Sequence, residues 1–338
     1  MSGLKTGAYT GSAKEGNPYT GDMDKGMAYD AYESSVKVID SSGDTPFVTT
    51  TYRAIARKLV QSLPANVKSS QHILAIGSGT GIDTLEVFVQ NRASTVTGIE
   101  QSEGMQQLAR YKFNQAKGND QISSNPNKTL QNYWNAFRAE SAPYQDRVSF
   151  VVGDFLKIQP SDVLPVDAAV ANQVVHWMDM PSLFSHMNGF LQPGGNFLWN
   201  TASHFYDDPQ FPVKQYGFRY NDFLKYVLEE VSKKVDVGDY FSLAQPPHTL
   251  ESVLEVTRRS GFATEHVSTN MTLIDLQTYI ANHVPVFVKK LIKEPIEEDE
   301  ANSLIRDALA KTINNPNAFK DTEHKYEFVP LFRSMKTN

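Results

Sequence analysis

Short apolar runs alternate with amphipathic segments along most of the chain. Residues 50–63 carry apolar side chains at helical spacing, and the run HILAIG at residues 72–77 is typical of a buried strand that closes in glycine. Further strands are predicted at residues 95–99, 148–152, 166–171 and 197–200, with helices at residues 83–90, 103–115 and 183–191 between them. Strands that alternate with helices in this way indicate an α/β protein with a doubly wound, mostly parallel sheet.

The alternation then breaks at a segment rich in aromatic residues. Residues 205–248 are dense in Phe and Tyr, and we expect them to lie as a lid over the edge of the sheet. A helix at residues 250–260, ended by Gly261, resumes the pattern, and a strand at residues 262–272 follows. A late strand at residues 327–333 beside it would give the sheet an antiparallel edge.

These patterns divide the chain into five parts. Residues 1–27, rich in Gly, Lys, Ser and Thr, are predicted to be a flexible N-terminal arm, and residues 28–66 a helical cap. Residues 67–204 make up the predicted core with its ligand-binding sheet. Residues 205–249 are the predicted lid insertion, and residues 250–338 the remainder of the core with a second helical lid segment.

Composition narrows the possible functions. The formal net charge is −6, so no overall basic character points to a nucleic-acid partner. The sequence has no cysteine, which excludes disulfides and thiolate chemistry, and no metal-ligand spacing such as H-E-x-x-H. It has no run of about 18 apolar residues that could span a membrane, and no secretory signal is expected. We therefore expect a cytoplasmic protein without membrane insertion or a bound metal.

The segment ILAIGSGTGID is the strongest candidate for a ligand site. Gly77, Gly79 and Gly81 follow a predicted buried strand and open a helix, whose free N–H groups and partial positive charge suit ligand binding. Glu100 ends the next strand, and an ionised carboxylate there can accept hydrogen bonds from both hydroxyls of a ribose. Ile82 stands where the dinucleotide fingerprint needs Gly or Ala. The spacing therefore favours a nucleoside ligand without a pyrophosphate.

Five segments together resemble the class I S-adenosylmethionine-dependent methyltransferases, in the branch that acts on small molecules. They are, in order, ILAIGSGTG, VTGIEQSEGM, VVGDFLKI, DAAVANQVVHWMD and LQPGGNFLW. The resemblance implies a seven-stranded Rossmann-like sheet with S-adenosylmethionine as the cofactor. The positions it implies for cofactor binding are Gly77, Ser78, Gly79 and Gly81 at the methionine part, Glu100 at the ribose, Gln101 and Asp154 at the adenine, Phe155 beside the ring, Asn172 and Gln173 facing cofactor and substrate, and Tyr29 closing over the cofactor.

One position departs from the family pattern. Methyltransferases of this class usually carry an acidic residue two positions before the first glycine, where it helps to hold the charged end of the cofactor. This chain has Ala75 at that position. The departure leaves open how the charged end is held and whether the cofactor serves as a methyl donor.

The dipeptide His176-Trp177 follows a predicted strand end and is the candidate for chemistry on the substrate. It resembles the His-Trp pair of several small-molecule methyltransferases. His176 is the candidate base because histidine titrates near neutral pH, and Trp177 could donate an N–H group or form a pocket wall. The other substrate candidates are His204, Phe205 and Tyr216.

Three functions stay open at this point. The leading one is methyl transfer to the oxygen, nitrogen or carbon of a small, apolar or aromatic, natural-product-like acceptor. The second keeps the cofactor but catalyses a non-methylating reaction such as cyclisation, and the third is a non-catalytic cofactor-binding module. An alcohol, phenol or carbon acid would need a base, whereas a carboxylate, already ionised at neutral pH, would not.

Overall fold

The computed structural model describes residues 23–35, 48–49, 52–64, 72–90, 93–118, 120–163, 165–201, 206–207, 220–238, 248–275, 284–285, 288–289, 291–315 and 324–337. The α-helices in these segments are α1 (Met23–Ser35), α2 (Tyr52–Gln61), α3 (Ile82–Val89), α4 (Glu103–Lys112), α5 (Asp120–Ser123), α6 (Lys128–Ser141), α7 (Met180–Phe190), α8 (Tyr220–Ser232), α9 (Leu250–Arg259) and α10 (Glu298–Ile313). Short 3-10 helices cover Ala142–Arg147, Phe155–Lys157, Pro160–Asp162 and Val175–Trp177. Within the described segments, no helix has the length and apolar character needed to cross a membrane.

The strands form one large sheet and one small one. They are β1 (Val48–Thr49), β2 (His72–Ile76), β3 (Thr95–Glu100), β4 (Val148–Val152), β5 (Val166–Ala171), β6 (Leu191–Asn200), β7 (Tyr206–Asp207), β8 (His248–Thr249), β9 (Phe262–Asp275) and β10 (His324–Lys336). The large sheet has the order β1-β9-β10-β6-β5-β2-β3-β4, and β7 pairs with β8. Seven strands make up nearly all of the large sheet, as predicted, because β1 adds only two residues beside β9.

The strand order places a ligand crevice at the carboxyl ends of β2 and β5. Strands β2 to β6 pair in parallel, with β3 and β4 on one side of β2 and β5 and β6 on the other. The winding of the sheet therefore reverses between β2 and β5. In open α/β sheets, ligands bind outside the strand ends at such a reversal.

Both faces of β2 are covered by helices. Ile73 lies in one buried cluster with Leu59 of α2 and Leu85 of α3, whereas Leu74 lies in another with Leu183 of α7. A strand buried on both faces reads as a continuous apolar run rather than an alternating one. This explains the uninterrupted HILAI before the glycine turn.

The late antiparallel strand has a different place from the one predicted at the edge. β10 lies between β6 and β9 and is antiparallel to both. Trp199 of β6 stacks on Phe332 of β10 with ring centroids 4.3 Å apart, and its indole N–H donates a hydrogen bond of 3.1 Å to Ser334 Oγ. β10 therefore supports β6, whose carboxyl end reaches the crevice.

Helix α1 corrects the predicted boundary of the N-terminal arm. Residues 23–27, assigned to that arm, lie in α1. Gly26 weakens the helical pattern in the sequence, but it lets α1 approach its neighbours closely. A Cβ atom at Gly26 would lie 3.1 Å from Thr80 Cγ2 and 3.3 Å from Met105 Cγ. The packing of α1 on the glycine turn and on α4 thus depends on the missing side chain.

Asp30 of α1 joins three other elements in the interior. Its carboxylate accepts hydrogen bonds from Thr80 Oγ1 at 2.8 Å, from Lys112 Nζ at 2.9 and 3.0 Å, and from Trp134 Nε1 at 2.8 Å. Both charged side chains are completely buried, and the ammonium group also lies 4.3 Å from the centre of the Phe137 ring. Burial lowers the pKa of Lys112, and the charge of Asp30 opposes that shift. The contact fixes α1 to the glycine turn, α4 and α6.

We expect Asp30→Asn to lower the free energy of unfolding by about 3–5 kcal/mol, because it leaves the buried ammonium of Lys112 without its counter-charge. Urea denaturation measures the change. Glu255→Gln is the control, since it breaks an exposed pair with Arg259 in α9 and should cost less than about 1 kcal/mol. Equal losses for the two variants would contradict this account of the buried pair.

Candidate active site

The turn after β2 has the backbone conformation that its glycines allow. Gly77, Gly79 and Gly81 have φ values of +61°, +51° and +86°. Inside the turn, the Gly81 N–H donates to the Ser78 carbonyl at 2.8 Å, and the Ser78 N–H donates to the Ile99 carbonyl at 3.0 Å. The turn is therefore tied to β3 and aims the first N–H groups of α3 at the crevice.

Two of these glycines are needed for different reasons. A Cβ atom at Gly77 would lie only 2.5 Å from Val174 Cγ2, so the bare backbone allows the loop after β5 to approach. At Gly79 a Cβ atom would come no closer than 3.9 Å to another atom, the Gly77 carbonyl oxygen. As far as the described residues go, the space beside Gly79 is open, and a ligand can approach the backbone there.

Glu100 lies at the carboxyl end of β3 with its carboxylate held by backbone groups. Its Oε2 accepts from the Gly79 N–H at 3.0 Å and its Oε1 accepts from the Ser102 N–H at 2.8 Å. Two backbone donors thus fix the orientation of this carboxylate, which can act only as an acceptor when it is ionised. The next residue, Gln101, has a buried Nε2 with no hydrogen-bond partner in the described segments. A buried donor without an acceptor is costly, and a ligand acceptor would satisfy it.

Asp154 and Phe155 follow β4 and differ in how they meet the crevice. Asp154 caps the 3-10 helix Phe155–Lys157 by accepting from the Leu156 N–H at 3.1 Å. Phe155 is only 2% exposed and packs edge-on against the His186 ring at 5.0 Å. Because protein atoms already cover nearly all of its surface, Phe155 supports the floor of this region.

Three amide side chains are linked at the ends of β5 and β6. Asn200 Oδ1 accepts from the Gln173 backbone N–H at 2.7 Å, and Asn200 Nδ2 donates to Asn172 Oδ1 at 2.9 Å. Gln173 has a φ of +57°, a left-handed conformation that costs a non-glycine residue roughly 1–2 kcal/mol. The link to Asn200 holds this strained backbone in place. Strain of this kind is concentrated at functional sites.

His176 is oriented by the end of β6. It lies in the 3-10 helix Val175–Trp177, with Nδ1 3.2 Å from Thr201 Oγ1 and its ring 4.9 Å from the Trp177 ring. His176 and Trp177 are both half-buried, so each keeps surface toward solvent or a ligand. The tautomer with its proton on Nδ1 donates to Thr201 and presents a lone pair at Nε2.

Asp83, in the first turn of α3, is a buried carboxylate that the sequence analysis did not single out. It is 6% exposed, and its Oδ2 has no hydrogen-bond partner in the described segments. Burial raises its pKa from 3.8 to about 7, with a smaller contribution from the charge of Glu100. Its own backbone N–H and the charge of Lys112 oppose the shift. Near neutral pH the side chain is thus divided between its charged and neutral forms.

For four other predicted positions, the role in the site remains a prediction. His204, Phe205 and Tyr216 lie outside the described residues, so their roles stay predictions. Tyr29 lies in α1, with its ring edge-on to Tyr52 of α2 at 4.9 Å. Its closure over a ligand also stays a prediction.

Asn200, Thr201 and Asp83 were not predicted from the sequence. Asn200 ends a predicted strand that reaches the ligand edge and Thr201 directly follows it, and that position alone could have identified both. Asp83 gave no such signal, because an acidic residue in the first turn of a helix is common for reasons unrelated to a ligand. In the described segments, no group of three or more His, Asp or Glu side chains could hold a metal ion.

Comparison with known protein families identifies the family of this chain. A family model described as a methyltransferase domain matches residues 48–230, more than half of the chain. The chain belongs to this methyltransferase family. The chain has the Rossmann-like fold of the class I methyltransferases, and the cofactor of the family is S-adenosylmethionine. No curated protein matches the methyltransferase by sequence.

A solved structure agrees with this fold. The cyclopropane synthase MmaA2 from Mycobacterium tuberculosis is 16% identical, with a TM-score of 0.51 over 95% of this chain and 100% of that one. Geranyl diphosphate C-methyltransferase from Streptomyces coelicolor A3(2) is 14% identical, with a TM-score of 0.43 over 85% of this chain and 80% of that one. At 16% identity the likeness to MmaA2 concerns the fold alone, and the likeness to the second structure carries no argument about this chain.

The crevice of the methyltransferase has features that fit a nucleoside with a charged amino-acid tail. Among the described residues, the backbone beside Gly79 is open to a ligand, the Glu100 carboxylate is fixed by two backbone donors, and Gln101 holds a buried donor without a partner. The N-terminus of α3 favours a ligand carboxylate. None of these features alone is specific for such a ligand, but together they lie where the winding of the sheet reverses.

We expect Gly77→Ala to weaken cofactor binding and stability together, because the new methyl group would strike Val174 and the backbone would be strained. Gly194→Ala is the matched control: Gly194 has a φ of +78° but no atom near its Cβ position, so it should cost only roughly 1–2 kcal/mol of strain. Adding Val174→Ala to Gly77→Ala should recover part of the loss. Thermal unfolding and cofactor titration measure both effects, and equal losses at the two glycines would contradict the packing argument.

The raised pKa of Asp83 predicts a specific pH dependence of stability. The folded protein keeps a proton that the unfolded chain loses above about pH 4, so the stabilisation is present at low pH and lost as pH rises through about 7. At roughly 1.4 kcal/mol for each of about three pH units, the loss is about 4 kcal/mol. Asp83→Asn cannot titrate, so its stability relative to the wild type should increase across this window. If urea unfolding shows that the difference in free energy of unfolding between the two proteins is constant from about pH 4 to 8, this account is contradicted.

Proposed function

We propose that this methyltransferase transfers the methyl group of S-adenosylmethionine to a small, apolar or aromatic acceptor, with His176 as the base that takes the acceptor's proton. The observation that carries the proposal is the contact of His176 Nδ1 with Thr201 Oγ1, 3.2 Å away at the end of β6. It orients a half-buried imidazole at the same sheet edge as the glycine turn. A histidine oriented in this way by a neighbouring oxygen is the usual arrangement of a general base.

The cofactor's proposed partners lie along the carboxyl ends of four strands. Gly79 and its neighbours in the turn would approach the methionine part, and Glu100 the ribose hydroxyls. Gln101 and Asp154 would lie at the adenine, and Asn172 with Gln173 between cofactor and acceptor. When bound, the cofactor supplies an electrophilic methyl group on a sulfonium.

The chain's own residues would align the acceptor and exclude water. Methyl transfer from a sulfonium is an in-line displacement, so the position of the acceptor atom decides the rate. With its proton on Nδ1, His176 can take a proton from a hydroxyl or carbon acid at Nε2, while Thr201 holds the ring. Trp177, against the ring of His176, would form a wall of the acceptor site.

The apolar character of the acceptor is inferred from the segment between β6 and α9. This segment holds aromatic residues in high density, and α8 within it packs against α10 through a buried apolar cluster. Leu224, Val231 and Ile305 are members of that cluster. An apolar lid excludes water from the reacting centre and favours acceptors with apolar or aromatic bodies.

The experiment is a screen for methylated product with phenols, alcohols and apolar carboxylic acids, followed by His176→Ala. With a hydroxyl acceptor we expect kcat to fall at least about 100-fold, while the affinity for S-adenosylhomocysteine changes little. His266→Ala, a histidine of β9 packed on Phe332, is the control and should retain activity. With a carboxylate acceptor the fall should be much smaller, because that group needs no base.

Other outcomes point to other functions. Cofactor binding without any methylated product, but with a rearranged acceptor, would favour a non-methylating reaction. If the protein binds the cofactor but changes no acceptor, and His176→Ala alters neither result, a non-catalytic binding module is favoured. Full activity of His176→Ala on a phenol would refute the role of His176 as base.

A further inference from the structure

Asp83 has a chemical property that the proposed mechanism does not use. It is the second residue of α3, directly behind the glycine turn, and it is 6% exposed with no hydrogen-bond partner for Oδ2 in the described segments. Glu100, at the same edge, has both carboxylate oxygens bonded to backbone N–H groups. A buried carboxylate with an unused oxygen either keeps its proton or accepts a cation.

Among the described residues, the cationic side chain that favours ionisation of Asp83 is already bound to another carboxylate. Glu100 of β3 disfavours its ionisation and Lys112 of α4 favours it. The ammonium group of Lys112, however, is bound at 2.9 Å to the buried carboxylate of Asp30 in α1. Glu86, the nearest other acid of α3, is paired with two arginines of α2. In α3, Asp83 thus differs from Glu86 in having a buried oxygen without a partner among the described residues.

The family's cofactor supplies the missing charge. S-adenosylmethionine carries an α-ammonium group on its methionine part, next to a carboxylate that suits the N–H groups of the turn and of α3. Strand β2, which leads into the turn, has the sequence HILAI and brings no carboxylate. An ammonium placed beside the turn would therefore meet Asp83 behind it and Glu100 across from it.

We propose that the Asp83 carboxylate binds the α-ammonium group of the cofactor and releases its proton to solvent when the cofactor enters. No bond other than the O–H of Asp83 is broken, and the proton goes to the buffer. The proposal depends on the cofactor of the family and not on the acceptor or on His176. Its failure is therefore distinguishable from failure of the proposed function.

Calorimetric titration with S-adenosylhomocysteine, in two buffers of different ionisation enthalpy, counts the protons released. This ligand keeps the ammonium group and cannot turn over. Because Asp83 has a pKa of about 7, the wild type should release about half a proton per ligand near neutral pH, and more at lower pH. Asp83→Asn should release no such proton and bind at least about tenfold more weakly. Asp146→Asn, which changes an exposed carboxylate, should match the wild type.

A second ligand separates a charge contact from a structural role. 5′-Methylthioadenosine has the nucleoside and a thioether but no amino-acid tail, so it offers Asp83 no ammonium. We expect it to bind wild type and Asp83→Asn with equal affinity and without linked proton release. Equal weakening of both ligands by Asp83→Asn would overturn the proposal and assign Asp83 to the shape of the turn. Equal proton release by wild type and Asp83→Asn on binding S-adenosylhomocysteine would also overturn it. So would a wild-type protein that binds neither ligand.

Discussion

The carboxylate of Asp30 accepts hydrogen bonds from three elements at once, and the position of the glycine turn depends on it. Thr80 belongs to the turn itself, Lys112 to the end of α4 and Trp134 to α6. Two buried charges are tolerated because each finds its opposite at hydrogen-bond distance and the remaining donors are used. Helix α1 therefore holds the turn in place, in addition to strand β2, which leads into it. Its open backbone is rigid without being filled by side chains.

Two carboxylates near this turn differ in their hydrogen bonding. Glu100 is bonded to two backbone N–H groups, whereas Asp83 is buried with one oxygen unused. With the cofactor placed as proposed, the first would accept hydrogen bonds from hydroxyl groups and the second would exchange a proton for a cation. Under that proposal, a chain with Ala75 in β2 would still place two acids at the cofactor site. Asp83 would then stabilise the empty protein less than an asparagine would at high pH, which is typical of residues that serve ligands.

The parts of the structure that follow local rules were predictable from sequence. Gly77, Gly79 and Gly81 are required by backbone conformation, and Glu100 by its place at a strand end, so both were found. The first turn of α1, at residues 23–27, was missed because Gly26 weakens the helical pattern, while the close packing that Gly26 permits is a long-range property.

Three other features depend on long-range packing. The place of β10 between β6 and β9 follows from strand pairing across distant segments, which periodicity does not report. The state of Asp83 depends on burial by elements far away in sequence. Asn200 bonds across strands to Gln173, and only the assembled sheet shows why that glutamine has a left-handed backbone.

The pairing of β6 with β10 has a consequence for how the protein is made. Trp199 and Ser334 are 135 residues apart in sequence, yet their contact braces the strand that ends at Asn200, next to Thr201. The glycine turn and Glu100 belong to the first third of the chain and can form early during synthesis. The half that would hold the acceptor must wait until β10 has left the ribosome. A growing chain could thus hold a nucleoside long before it could catalyse a reaction with it, and the slow step of maturation would be the late insertion of one strand.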